Sequence, residues 1–280
     1  MKKNKARTYW DSLADAYQSG TVISCADFHY GPLLPGDREL RLLPPALTNL
    51  RCLELGCGAA QNSVYLATRN AQCTALDHSA AQLRHARRLS LARGVRVDLV
   101  LGDLGRLPFR APACFDLVHS TYALPFVADQ RRAIAAAAAM VRPGGLLLLT
   151  TAHPLGLGQW AYDEGGAAGL FIEDYFSPPE DARSLPEGGR SVCRPVPISR
   201  LFQWLVDSGM IVRRMLEPQP VPVDHLTDAE LKRRVPYFSE AWYERAAEMA
   251  RIPFVVIMLA EKPLNAGRQQ SAIRAGCGHG

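Results

Sequence analysis

The sequence predicts an α/β fold built on a parallel sheet, and two observations carry that expectation. From Leu50 to Lys262, short apolar runs alternate with stretches of helical periodicity, the pattern of strand–helix units that share one sheet. The leucine-rich run 146–151 reads as a strand buried on both faces, which a parallel sheet requires of its central members. With 280 residues, 48% of them hydrophobic, the chain can build one large core with a small cap.

The elements follow in order. A first strand at 51–55 leads through a Gly-rich turn to a helix over 62–69. A second strand, 71–76, is closed by Asp77; the helix behind it spans 79–92, with Ser79 as N-cap and Gly94 as its stop. The third strand, 97–101, hands over to Gly102-Asp103, and the fourth, 115–119, to Ser120-Thr121-Tyr122. Asp129 caps an alanine-rich helix that runs to Arg142, where Pro143-Gly144-Gly145 ends it. After the fifth strand, residues 156–197 are rich in Gly, Pro and aromatics, as a lid or substrate-binding insertion would be. A helix (199–208), a strand (211–216), a further helix (239–250) and a last strand (254–260) complete the unit. The division is therefore an N-terminal cover over 1–49, a main domain over 50–262 that includes the lid, and a disordered small, polar tail over 263–280.

Composition narrows the function. No run approaches the roughly 20 apolar residues of a membrane span, and Tyr9-Trp10-Asp11 stands where a signal peptide needs its apolar segment. The chain reads as cytoplasmic. Its 7 cysteines include no C-x-x-C pair, so packing explains them better than disulfides or a metal site. The net charge of +5 owes much to Arg84, Arg87, Arg88, Arg93 and Arg96, a solvated face without the interleaved aromatics of a nucleic-acid groove.

The chemistry gathers at strand ends. Glu54-Leu55-Gly56-Cys57-Gly58 lies where the first strand meets its helix. Neither glycine has a Cβ, so the backbone can turn sharply and approach a ligand. The helix behind offers free N–H groups to a carboxylate. A dinucleotide site wants a third glycine three places on, but Gln61 stands there. Asp77 ends the second strand, where a carboxylate can hold ribose hydroxyls, and Asp103 ends the third, within reach of an adenine amino group.

Together with Leu76-Asp77-His78-Ser79, Gly102-Asp103-Leu104, Leu107-Pro108-Phe109, Phe115-Asp116-Leu117-Val118 and Val141-Arg142-Pro143-Gly144-Gly145, this loop resembles the class I S-adenosylmethionine-dependent methyltransferases of the small-molecule group. The resemblance covers about residues 9–262. It implies a seven-stranded Rossmann-like sheet of order 3-2-1-4-5-7-6 whose last strand is antiparallel. It also implies S-adenosylmethionine as cofactor: the methionine part on Gly56, Cys57 and Gly58 behind Glu54, the ribose on Asp77 beside His78, and the adenine on Asp103 and Leu104. Ser120 resembles the residue whose backbone faces the methionine amine, and Asn62 is placed near the carboxylate. Residues 9–17 resemble the family's leading helix, from which an aromatic such as Tyr17 covers the cofactor. Tyr30, within Phe28-His29-Tyr30-Gly31-Pro32, can close over the same site; core packing is the alternative for these aromatics.

Methyl transfer from a sulfonium needs alignment and exclusion of water, and a base only where the acceptor must lose a proton. Three histidines qualify as bases: His153 after the fifth strand, His119 at the end of the fourth, and His29 in the cover. The aromatics Trp160, Tyr162, Phe171, Tyr175 and Phe176 of the lid suit an apolar or aromatic acceptor. The acceptor is thus expected to be a small metabolite, a specialised natural product, methylated at O, N or C by a monomer or homodimer that engages neither nucleic acid nor membrane. A nicotinamide-dependent oxidoreductase and a non-catalytic S-adenosylmethionine-binding regulator are the rival readings.

Overall fold

The computed structural model describes residues 5–109, 114–186 and 189–264. Its centre is a seven-stranded sheet formed by β1 (Arg51–Leu55), β2 (Gln72–Asp77), β3 (Val97–Leu101), β4 (Phe115–Thr121), β5 (Val141–Ala152), β6 (Ile211–Leu216) and β7 (Val255–Glu261). The spatial order is β3-β2-β1-β4-β5-β7-β6. Strands β1 to β5 pair in parallel, while β7 runs antiparallel to both β5 and β6. This is the expected order, with the last strand reversed.

Alternation along the strands divides the core in two. Leu148, Ile257 and Leu259 face one side with Leu117 and Cys52. Leu147, Leu149, Val256, Met258 and Ala260 face the other, where Ile134, Ala137, Leu201 and Leu205 pack on them. The latter four come from helices α4 (Gln130–Met140) and α5 (Ile198–Asp207), while α1 (Lys5–Gly20), α2 (Gln61–Ala67) and α3 (Ala80–Ala92) precede them in the chain. Ser79 caps α3 by accepting from Gln82 N, and Asp129 caps α4 by accepting from Arg132 N.

Several boundaries differ from expectation for local reasons. The alanine-rich helix stops at Met140, and Val141-Arg142-Pro143-Gly144-Gly145 already belongs to β5; the register shifts opposite Phe115–Leu117 absorb the turn-like residues. The single helix expected over 239–250 is two short turns, Glu240–Tyr243 and Ala246–Met249. A helix at Asp228–Arg234, closed by a capping box between Thr227 and Glu230, stands where none was expected. Within residues 156–197, two hairpins form: Gln159–Asp163 with Gly166–Phe171, and Asp181–Ser184 with Arg190–Cys193. The expected tail lies, from residue 265 on, outside the described residues.

The N-terminal cover is fastened at three places. Asp11 of α1 accepts from Ser79 Oγ at 2.7 Å and from Ala81 N at 3.0 Å, placing a carboxylate at the first turn of α3. Val22–Ile23 pairs with Tyr237–Phe238. Residues 27–36 are buried throughout, and Phe28, Tyr30, Leu33 and Leu34 fill the sheet face above Leu117. The segment is therefore core as much as cover. No helix among the described residues is long and apolar enough to cross a membrane.

Candidate active site

Five consecutive strand ends open into one cavity of about 620 Å³. Glu54 to Gly58 follow from β1, Asp77 and His78 from β2, Gly102 to Arg106 from β3, Thr121 to Ala123 from β4, and Ala152 and His153 from β5. This is the carboxyl edge of the sheet, where open α/β folds bind ligands.

The glycine loop is held by backbone and carboxylate together. Gly56 N and Cys57 N donate to Leu76 O at 2.8 and 3.0 Å. Gly58 N donates to Asp77 Oδ2 at 2.8 Å, and Ser79 N donates to Asp77 Oδ1 at the same distance. Gly56 (φ 72) and Gly58 (φ 53) both take the left-handed conformation that favours glycine. A Cβ on Gly56 would lie 2.2 Å from Ala123 Cβ, so the loops after β1 and β4 touch only because glycine is there. At Gly58 the same direction is open, with Gln82 Oε1 the nearest atom at 3.8 Å.

Acid groups differ in their environment. Burial raises the Asp77 carboxyl above the usual carboxylate range, and the two N–H donors oppose that shift. Burial likewise pushes Glu54 up to about 7. Glu54 Oε2 accepts from Ser63 N at 3.0 Å and Ser63 Oγ at 2.5 Å, so it ties β1 to the first turn of α2 while lining the cavity. Asp103 is exposed and accepts from Gly105 N at 2.8 Å; buried Leu104 lies beside it on the cavity wall.

Tyr17, His29, Glu54, Gly56, Cys57, Gly58, Asp77, His78, Asp103, Leu104 and His153 all line this cavity. Four expected site residues are set back from it. Tyr30 is buried against Phe28 and donates its hydroxyl to Asp37 Oδ1 at 2.5 Å. Phe28 and Tyr30 both pack into the core, and of these three residues only His29 reaches the cavity. Asn62 is buried and bonds the backbone of His29 on both sides, and Ser120 Oγ donates to Leu55 O at 2.8 Å. His119 shares the Leu117 face and meets the Phe28 ring at 5.2 Å. Its two ring nitrogens are enclosed without partners, which corrects the expectation that it faces an acceptor.

His153 has both ring nitrogens occupied. Its Nε2 lies 2.9 Å from Glu217 Oε1 and its Nδ1 accepts from Leu155 N at 3.1 Å, so both nitrogens are engaged in holding the short turn Pro154–Leu157. It lines the cavity with no free lone pair. The lid aromatics also turn elsewhere: Tyr162, Phe171 and Phe176 are exposed, and Trp160 meets Arg251. Each strand of their hairpin has one partner, which leaves its side chains on the surface. Instead, Asp181, Arg183 and Cys193 of the second hairpin reach the cavity.

Sequence reasoning missed Trp10, Tyr122, Tyr237, Trp242 and Arg245, which also line it. Tyr122 directly follows β4 and carries φ 62, a conformation rare for a bulky residue and found at functional sites. Its position after a parallel strand was a usable signal. Tyr237 and Trp242 arrive through the Val22–Ile23 pairing, a long-range contact with no local sequence sign.

His119 carries an acid-stability expectation. Burial holds its pKa down at about 3 against an ordinary 6.5, so protons bind the unfolded chain first. Stability is then full above the unfolded value and is lost as pH falls from 6.5 towards 3. Below that upper limit, the ratio of parent to His119→Leu unfolding constants should grow by about tenfold per pH unit. Urea titrations of both proteins at several pH values measure it; a ratio independent of pH contradicts the buried neutral state.

Residues 53–149 match the family described as "Methyltransferase domain", and the order of the sheet, with its reversed last strand, is the fold of class I S-adenosylmethionine-dependent methyltransferases. Among curated relatives, the ubiquinone biosynthesis O-methyltransferase of Xanthomonas euvesicatoria pv. vesicatoria (strain 85-10) is 36% identical over 164 residues, 59% of this chain and 64% of that protein. The chain thus spans somewhat under two thirds of that relative's length. Among solved structures, an S-adenosylmethionine-dependent methyltransferase from Mesorhizobium loti is 25% identical with a TM-score of 0.62, covering 80% of this chain and 96% of that one. The [4+2]-cyclase SpnF is similar in fold at 18% identity and a TM-score of 0.59, covering 92% and 95%. Fold alone therefore does not fix the reaction; the site must.

Proposed function

We propose that this protein is an S-adenosylmethionine-dependent methyltransferase of the cytoplasm that methylates an oxygen of a small molecule. The observation that carries this reading is the convergence of the Gly56–Gly58 loop, Asp77 and Asp103 on one cavity at successive strand ends. The residues fit the cofactor. Gly58 leaves open space where a side chain would stand, Asp77 keeps lone pairs beyond its two N–H partners, and Asp103 lies at the cavity rim with Leu104. The oxygen acceptor is supported by the printed name of the 36% identical relative, an O-methyltransferase. That name concerns ubiquinone biosynthesis, so nothing favours a specialised natural product over another small metabolite. The missing third glycine at Gln61 disfavours a dinucleotide.

When bound, S-adenosylmethionine supplies an electrophilic methyl group on sulfonium. The protein's part is orientation and dryness. The loop and Asp77 fix one end of the ligand. Helix α1 and the Tyr237–Trp242 segment, joined by the Val22–Ile23 pairing, wall the other side against water. The test is mass analysis of nucleoside retained by the purified protein, then transfer of labelled methyl to a metabolite extract. Label recovered in an alkali-stable ether supports the reading. Retained nicotinamide dinucleotide, or label that never leaves S-adenosylmethionine, overturns it.

A further inference from the structure

We propose that the methyl acceptor is a hydroxylated aromatic carboxylate whose carboxyl group is held by Arg245, with Arg183 as its second partner. This rests on the methyltransferase reading above and names the acceptor class for the same cavity.

Arg245 is built to receive an anion. It lines the cavity, and its guanidinium carbon stands 4.6 Å from the centroid of the Phe254 ring. Its Nε donates to Glu248 Oε2 at 2.9 Å, and its Nη2 lies at the same distance from that oxygen. The ring fixes the plane of the guanidinium, and the carboxylate fixes its rotation within that plane. Glu248 is held in turn by the Tyr162 hydroxyl, which donates to Oε1, and it is not part of the cavity lining. Of the five N–H donors of a guanidinium, the two on Nη1 bond no group among the described residues. They are left for a ligand.

Arg183 repeats the arrangement from a separate element, the second hairpin. Its Nε and Nη2 both donate to Asp181 Oδ2, at 2.9 and 2.6 Å, and its Nη1 is likewise unbonded among the described residues. Burial raises the Tyr122 phenol, and Arg245 and Arg183 both oppose that rise, so both guanidiniums lie on the Tyr122 wall of the cavity. Glu54, Asp77 and Asp103 stand elsewhere, at the ends of β1, β2 and β3, while Asp181 is the lining carboxylate beside the two guanidiniums.

The rest of that wall is aromatic. Tyr122 and Trp242 meet edge-on with ring centroids 6.0 Å apart, and Tyr237 and Phe254 line the cavity with them. Such a wall suits a flat ring, and the planar guanidinium suits a carboxylate on its edge. A carboxylate whose lone pairs are bound to guanidinium is a poor nucleophile. It serves as the handle, and a hydroxyl elsewhere on the ring takes the methyl.

Arg106 and Arg132 also line the cavity, without an ion pair among the described residues, but they belong to its other end. Arg106 N donates to Asp103 O, and Arg132 N to Asp129 Oδ1. Both side chains are exposed, and neither guanidinium is fixed by a ring and a carboxylate as Arg245 is.

The test uses the full chain saturated with S-adenosylhomocysteine and two probes of one shape, benzoate and benzamide, titrated by calorimetry. Benzoate is expected to bind at least about tenfold more tightly than benzamide. Arg245→Gln should abolish that preference while S-adenosylhomocysteine affinity holds within about twofold, and Arg183→Gln should reduce it. Arg106→Gln and Arg132→Gln should leave it in place. Benzamide binding as tightly as benzoate, or binding of neither, in parent protein that binds the nucleoside overturns this proposal alone. A preference kept in Arg245→Gln, or lost in Arg106→Gln or Arg132→Gln, overturns it as well. Failure of the parent protein to bind S-adenosylhomocysteine overturns the methyltransferase reading, and this proposal with it.

Discussion

Gly58→Val is expected to lower S-adenosylmethionine affinity by about 100-fold or more, the equivalent of roughly 3 kcal/mol. Two effects add. The residue sits at φ 53, where a β-branched side chain is strained, so the loop must shift and with it the Gly58 N–H that donates to Asp77 Oδ2. The new side chain also points into open space, with Gln82 Oε1 the nearest atom at 3.8 Å, and that space is the cavity. Because no packed atom stands in the way, the variant should fold. Calorimetry with S-adenosylhomocysteine beside a thermal melt separates the effects. Parent-like affinity in a folded variant would show that the loop is not the cofactor's cradle.

Asp77→Ala is expected to weaken cofactor binding by at least about tenfold, since a carboxylate accepting hydroxyl hydrogen bonds contributes about 1.5–3 kcal/mol for each. It should also lower the melting temperature of the unliganded protein, which the sequence alone did not suggest. Gly58 N and Ser79 N both lose their acceptor, and each N–H left buried without a partner costs about 1–3 kcal/mol. Asp77 is thus a clasp for the glycine loop beside its proposed role in holding the cofactor. Affinity within a factor of two of the parent would remove it from the binding site.

What the sequence made legible follows from how local each signal is. The strands at Arg51–Leu55, Val97–Leu101 and Ile211–Leu216 match expectation residue for residue, because short apolar runs bounded by Gly or Asp announce themselves. The caps Ser79 and Asp129 were readable for the same reason: a cap acts on N–H groups two or three residues away. The five strand ends were also readable, since strand order in such sheets decides which edge binds.

The side of the cavity away from the glycine loop was not. Its walls come from α1, the second lid hairpin and the segment around Tyr237, brought together by pairings such as Ile23 with Tyr237 that leave no mark on either stretch alone. The histidines show the limit best. Sequence placed His153, His119 and His29 near one edge, but only hydrogen bonding tells them apart. His153 is consumed by Glu217 and Leu155 N, His119 lies under Phe28, and His29 lines the cavity with its Nδ1 enclosed. Aromatic content misled in the lid, where the first hairpin keeps Tyr162 and Phe171 at the surface.

Calorimetric titration of the parent protein with S-adenosylhomocysteine tests the cofactor assignment most directly. One binding site per chain is expected, with low-micromolar to sub-millimolar affinity, as suits a small cofactor in a largely preformed cleft. Absence of heat with both S-adenosylhomocysteine and S-adenosylmethionine on folded protein, or saturable binding of a nicotinamide dinucleotide in their place, would contradict it.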